Sequence, residues 1–441
     1  MPFSPADSRI TGVLFSDPEL AAIYADAAAV AAMLRVESAL AAAQGRLGVI
    51  PPAAAEAIAA AAETVTIDYD ALAIGTERAG VPVIDLVRQL RAASGEAADY
   101  VHWGATTQDI LDTAAVLQAR GALAALESRL DRLIANLAAL AGQHRTTLMA
   151  GRTHSQQALP IPFGLKVANW LAPLLRHRDR LAQLRPRLLV VQFGGAAGTL
   201  AALGDDGPAV QRALADALGL GVAPTPWHTQ RDTLAELAGW LSLLTGSLGK
   251  MAQDIILLAQ SEVAEVRESA DPGRGGSSTM PQKANPIISE VIIAAARSNA
   301  ALLGSMHQAQ IQEHERGTHG WQMEWLALPQ MMGLTGAALA KALFLSENLV
   351  VDTARMAATV EASRGVMLAE ALTFALAPAL GRAEAKRLVG EAIAEATAGD
   401  RHLIDVAREM TDVPLDWDAL ADATAYFGSA DLFISQVLAS V

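Results

Sequence analysis

LAELAGWLSLLTGSLGKMAQDIILL, residues 234–258, decides how the chain folds. Leu234, Leu237, Leu241, Leu244, Leu248, Met251, Ile255 and Leu258 recur at alternating spacings of three and four, which puts them on one stripe of an α-helix. At ~1.5 Å per residue the stripe is ~40 Å long and needs apolar partners along its whole length. Leu243, Ile256 and Leu257 lie off the seam and widen the apolar surface, which predicts burial in a multi-helix bundle rather than a two-stranded coil. Leu123, Leu126, Leu130, Leu133, Leu137 and Leu140 repeat the pattern upstream. Further helices are expected from about Pro162 to Leu184, Asn285 to Gln310 and Leu328 to Leu349, with a kink at Pro173.

Composition agrees with an all-α chain. Hydrophobic residues make up 52% of the 441 residues but aromatics only 4%, so the apolar mass is largely Ala and Leu, which favour helix over strand. The length suggests several domains: residues 1–108 and 351–441 are expected as smaller helical domains flanking a central bundle at 109–350. With 47 acidic against 33 basic residues the net charge is −14, which repels a phosphate backbone and argues against nucleic acid as partner. No Cys is present, so disulfides, thiolate nucleophiles and Cys-based metal sites are excluded. The start, Met1-Pro2-Phe3-Ser4-Pro5, does not read as a signal peptide, and the apolar stretch Leu188 to Leu203 is too short and Gly-rich to span a bilayer. A cytoplasmic protein with no membrane partner is expected.

Gly, Pro and polar residues gather between the helices, at Val101 to Thr107, Gly151 to Pro162, Gly194 to Asp206, Gly219 to Trp227 and Asp271 to Pro286. In the last of these, Gly275 to Pro286 combines glycines that permit a mobile lid, hydroxyls that can relay a proton, and Lys283 just before a helix start that favours an anion. As bare composition the same segment also reads as a solvent loop. His154 has a near-neutral intrinsic pKa suited to proton transfer. Arg9, Arg152, Arg231 and Arg316 are forks able to grip a carboxylate through two parallel hydrogen bonds. His314 and His319, five apart, do not share a helix face and make a poor metal pair. No flavin, nicotinamide or P-loop fingerprint occurs.

The string Gly276-Ser277-Ser278-Thr279-Met280-Pro281-Gln282-Lys283-Ala284-Asn285-Pro286 resembles the signature of the fumarase/aspartase superfamily. Gly104-Ala105-Thr106-Thr107-Gln108-Asp109 and Gly151-Arg152-Thr153-His154-Ser155-Gln156 match its two further blocks in order. Tyr100 to Thr113 (YVHWGATTQDILDT), Phe193 to Thr199 (FGGAAGT), Pro226 to Asp232 (PWHTQRD) and Gln312 to Gly317 (QEHERG), followed by Trp321 and Trp325, are similar to the bacterial 3-carboxy-cis,cis-muconate cycloisomerase branch. The resemblance implies a three-domain fold with a long central bundle, a homotetramer with active sites shared by several subunits, and a small polycarboxylate substrate.

It also implies roles. Removing a proton next to a carboxylate creates an aci-carboxylate dianion, which needs hydrogen-bond donors and a cation. Lys283, Asn285, Thr106, Thr107 and Gln230 are implied to gather around substrate carboxylates, joined by His102 and Arg316. Ser277 matches the loop serine that exchanges the α-carbon proton, and amide donors or nearby positive charge must then lower its pKa. His154 is the second acid–base candidate, and Glu290, five residues beyond Asn285, its orienting partner. His228 reads as either a site residue or the cap of a turn.

The implied reaction is lactonisation, in which an internal carboxylate of 3-carboxy-cis,cis-muconate adds to a C=C bond while Ser277 or His154 handles the proton, without cofactor or metal. One departure bears on substrate: many relatives in that branch read His-Lys-Arg-Asn where this chain reads Gln282-Lys283-Ala284-Asn285. Two alternatives stand beside it. One is a C–N lyase of the same superfamily releasing fumarate from an N-substituted aspartate, like argininosuccinate or adenylosuccinate lyase. The other is a catalytically silent helical scaffold.

Overall fold

The structure, a computed structural model, describes residues 4–269, 271 and 273–441. The reading of the Met1-Pro2-Phe3 start lies outside the described residues. Five long helices dominate: α1 (Thr107–Gln143), α2 (Phe163–Leu188), α3 (Asp232–Leu258), α4 (Ile287–Ala309) and α5 (His319–Asn348). Strands among the described residues are short. Antiparallel β1 (Leu148–Thr153) and β2 (Gln156–Pro162) form a hairpin; β3 (Val190–Val191) pairs in parallel with β4 (Gly221–Val222), and β5 (Val266–Arg267) pairs antiparallel with β6 (Val350–Val351).

The Leu stripes account for the helices. All eight stripe residues of α3 are buried, as are Leu123, Leu126, Leu130, Leu133 and Leu137 on α1, while Leu140 near its end is half-buried. Leu243 and Leu257, the off-seam residues expected inside a bundle, stay 53% and 45% exposed in the single chain. α2 remains helical through Pro173. α5 begins nine residues earlier than expected, because the indole of Trp321 and the carboxylate of Glu324 face inward and are buried. By length and composition α4 and α5 are also apolar enough to cross a membrane, which the reading of Leu188 to Leu203 did not detect.

The chain packs as two compact units, neither contiguous in sequence: Met1–Ser128 with His177–Gly246 and Ala295–Ala338, and Arg129–Arg176 with Ser247–Ala294 and Leu339–Val441. In the first, helices Asp26–Arg46 and Pro52–Thr64 approach so closely that a Cβ on Gly45 would lie 2.5 Å from that of Ala55. The bundle part of this unit carries a polar pin: buried Asn299 donates to Thr335 Oγ1 at 2.9 Å, and Thr335 Oγ1 to the Met331 carbonyl. This buried hydrogen bond favours one helix register, because a slip would strand both groups in an apolar core, although Asn299 Oδ1 itself has no partner among the described residues. In the second unit the helices Ala369–Leu380, Arg382–Gly399 and Leu403–Glu409 enclose Leu372, Leu376, Leu388, Leu403 and Ile404.

Candidate active site

In the first unit, the four strings set apart in the sequence converge on one hydrogen-bonded cluster. Asp109 is its hub. Thr106 is the last residue before α1, and the Asp109 carboxylate reaches back to its N–H at 3.0 Å, one half of a capping box. The same carboxylate accepts the amides of Gly194 (3.0 Å) and Gly195 (2.9 Å) and meets His228 Nε2 at 2.7 Å. Fully buried, it is satisfied by donors from three chain segments. Only Gly fits at 194, where a Cβ would lie 2.7 Å from Pro226 Cβ and 2.9 Å from His228 Cε1. His228 is therefore a buried partner of Asp109, closer to the turn-ordering reading than to a substrate ligand.

Next to it lies a second buried group. Arg231 donates to both carboxylate oxygens of Asp112 (2.7 and 3.1 Å) and to both of Glu324, and stacks 5.0 Å over the Trp227 ring. Trp321 Nε1 donates to Asp112 at 3.0 Å. Burial disfavours the Arg231 cation, but Asp112 and Glu324 outweigh it, and the guanidinium is held above its ordinary pKa. Burial dominates at Glu324, whose carboxyl is pushed up despite the Arg231 charge. Arg231 is thus fully engaged inside the protein, which corrects its reading as a substrate fork. Arg152 is corrected on the same ground, since it forms a two-point pair with buried Glu265 at 2.7 and 2.9 Å.

Of the remaining candidates of this unit, Thr106 and Arg316 touch the cluster. Thr106 and Thr107 are half-exposed at the start of α1. Gln230 is exposed and donates to Thr225 Oγ1 at 3.0 Å. Arg316 is half-exposed, and among the described residues its acceptors are neutral: Ala196 O (2.8 Å), Gly195 O (3.3 Å) and Gln108 Oε1 (3.4 Å). No carboxylate among the described residues pairs with it. His102 has left-handed backbone (φ 64°) and its Nδ1 lies 2.6 Å from buried Glu37. His314 and His319 are exposed, the latter 3.0 Å from Glu313. Arg9 is exposed.

The second unit holds the signature loop. A bridge between Gly276 and Ala284 and a bond from the Asn285 amide to Gly275 O (2.8 Å) close residues 277–283 into a loop. Ser277 Oγ accepts the amides of Met280 (3.2 Å) and Thr279 (3.4 Å). Two N–H dipoles aimed at that oxygen favour its alkoxide form, as proton exchange requires. The Lys283 side chain is exposed and has no partner among the described residues, and Asn285 is half-exposed. The anion expected at the following helix start is already there: buried Glu268 accepts the Ser289 amide at 2.7 Å and the Ile288 amide at 3.0 Å. This corrects the reading of that N-terminus as a substrate site. Gly275 (φ 70°) lies so close to Asn285 O that a Cβ would fall 2.1 Å from it. Gly275→Ala is expected to displace the loop and lower kcat by about 100-fold, with far-ultraviolet circular dichroism unchanged.

His154 and Ser155 form the two-residue tip of the β1–β2 hairpin, both with positive φ (49° and 63°), as a type I′ turn requires. Asn-Gly is the easy sequence for such a turn, so a His there carries strain of a kind that persists where a side chain must project. His154 and Glu290, the latter in the first turn of α4, are both exposed, and no hydrogen bond joins them among the described residues. Asp109, Asp112, Glu324 and Glu37 were not singled out from the sequence. Only Asp109 had a readable signal, the Thr106-x-x-Asp109 capping pattern.

Residues 15–298 match the family described as Lyase, and residues 365–437 match the Adenylosuccinate lyase C-terminus family. A 3-carboxy-cis,cis-muconate cycloisomerase of Bradyrhizobium diazoefficiens is 44% identical, covering 99% of both chains. The trans-aconitate decarboxylase 1 of Mycosarcoma maydis is 42% identical, covering 96% of this chain and 87% of its own. The solved 3-carboxy-cis,cis-muconate lactonizing enzyme of Pseudomonas putida superposes with TM-score 0.93 at 41% identity, over 98% of this chain and 99% of that one. The chain belongs to the fumarase/aspartase superfamily of lyases and is an enzyme of that class.

Proposed function

We propose that the protein cyclises 3-carboxy-cis,cis-muconate to a carboxylated muconolactone, as in protocatechuate-type aromatic catabolism (the β-ketoadipate pathway). A substrate carboxylate oxygen forms a C–O bond to one carbon of a C=C, the π electrons pass into a neighbouring carboxylate as an aci-dianion, and a proton reaches the carbon between. Ser277 delivers it, and the two amides on its Oγ stabilise the oxygen left behind. That arrangement is the observation that carries the reading. Thr106, Thr107, Gln230, Lys283, Asn285, Arg316 and His102 bind carboxylates, while His154, oriented by Glu290, is the second proton carrier. No cofactor or metal is required.

The enzyme works as a cytoplasmic homotetramer, with three domains per chain (1–108, 109–350, 351–441) and active sites shared by several chains. Leu243 and Leu257 on α3 and Leu326 on α5, exposed in the single chain, support burial against further copies rather than lipid or nucleic acid. A second reading, turnover of another small polycarboxylate, is favoured by Gln282 and Ala284 in the loop and by the relative that is a trans-aconitate decarboxylase. A panel of 3-carboxy-cis,cis-muconate, trans-aconitate, argininosuccinate, adenylosuccinate and simpler N-substituted aspartates, followed by absorbance and product analysis, separates them. Lactone without fumarate or carbon dioxide supports the cycloisomerase. An inert muconate beside turnover of any other member overturns it.

A further inference from the structure

His102 is held by one contact with an unusual property. Its Nδ1 lies 2.6 Å from Oε1 of Glu37, whose side chain is 1% exposed, on the helix Asp26–Arg46. The other Glu37 oxygen, Oε2, is buried with no hydrogen-bond partner among the described residues. A carboxylate so placed is well balanced by a cationic imidazole, since a neutral one would leave a buried charge facing a single hydrogen bond. Nε2 of the same ring makes no hydrogen bond among the described residues, and the His102 side chain keeps 15% of its surface exposed.

We propose that Glu37 is a positioning residue that keeps His102 protonated, so that Nε2–H serves as a cationic donor to a substrate carboxylate and makes substrate binding pH-dependent. This rests on the reading of the site as one for polycarboxylates, but not on which polycarboxylate reacts. The groups facing the ring are Glu37, Asp109 from α1 and Arg91 from the helix Val83–Ala93. Burial disfavours the charged ring and Arg91 adds to that, yet Glu37 and Asp109 prevail, and the pKa is raised above the ordinary imidazole value. With a raised value, the pair's contribution to stability is complete below the ordinary imidazole pKa and is lost as pH rises through the folded one. Carboxylate affinity follows the same direction.

The test is calorimetric binding of tricarballylate, an inert tricarboxylate, to the full-length protein between pH 5.5 and 9.5, with kcat and KM measured alongside. Wild type is expected to lose about 10-fold in affinity as His102 gives up its proton. Glu37→Gln should move that midpoint to lower pH and weaken binding about 10-fold at neutral pH, with kcat nearly unchanged. Glu37→Asp should restore part of the shift, and His102→Asn should flatten the profile. A Glu37→Gln profile superimposed on wild type, or a fall in kcat at unchanged affinity, overturns the proposal. If the isosteric variant does not fold, the His102→Asn profile decides alone: a step that survives in it also overturns the proposal. An inert muconate with the tricarballylate profile intact would sink the cycloisomerase reading only.

Discussion

Ser277→Ala is expected to lower kcat by about 10²–10⁴-fold, the range that a positioned proton carrier contributes. KM should change little, because the loop is closed by the Gly276–Ala284 bridge and by the Asn285 amide on Gly275 O, neither of which involves the serine side chain. The unfolding midpoint should move by less than about 0.5 kcal/mol, as for other surface substitutions. What the variant removes is the oxygen onto which the amides of Thr279 and Met280 converge. Exchange of the product α-proton with deuterated solvent gives an independent reading, since it reports proton transfer even where lactone formation is slow. A loss of less than threefold in both rates would transfer the proton role to His154. His154→Asn would then carry the large effect instead.

The bundle was legible because helical packing leaves a periodic trace: one apolar residue every three or four positions is enough to infer α1 and α3, and burial follows that trace down to Met251 and Ile255. The candidate groups of the signature loop were legible for a different reason, namely that a proton carrier, a cation and glycines occur within one short segment. What could not be read was the destination of each arginine. A guanidinium that grips a substrate and one that grips a buried carboxylate look alike in sequence, and the partners of Arg231 lie 119 and 93 residues away at Asp112 and Glu324. Glu268 escaped notice similarly. A helix start preceded by Lys283 invites an anion from outside, and the carboxylate that occupies it comes from just beyond the two-residue strand β5, with no local pattern to announce it.

Arg231→Ala is expected to cost about 3–5 kcal/mol of stability, the largest loss from any single side chain considered, because it strands two carboxylates where water cannot reach them. Asp112 would keep the Trp321 indole and the Gln108 amide as donors, whereas Glu324 would lose both bonds recorded for its side chain. Glu324 therefore determines the outcome. Pairing Arg231→Ala with Glu324→Gln should recover part of the loss, since the second change removes the uncompensated charge while nearly preserving volume. Chemical-denaturant midpoints for the two single variants and the double measure this directly. Arg231→Lys should fall between wild type and Ala, for an ammonium keeps the charge but cannot present two parallel N–H pairs to two carboxylates at once. If the double variant is less stable than Arg231→Ala alone, Glu324 contributes packing or hydrogen bonds that outlast its ion pair. A full loss with no recovery from the Glu324 change would place the cost on Asp112, through which Arg231 and Trp321 hold the start of α5 to α1 beside the Thr106 cap.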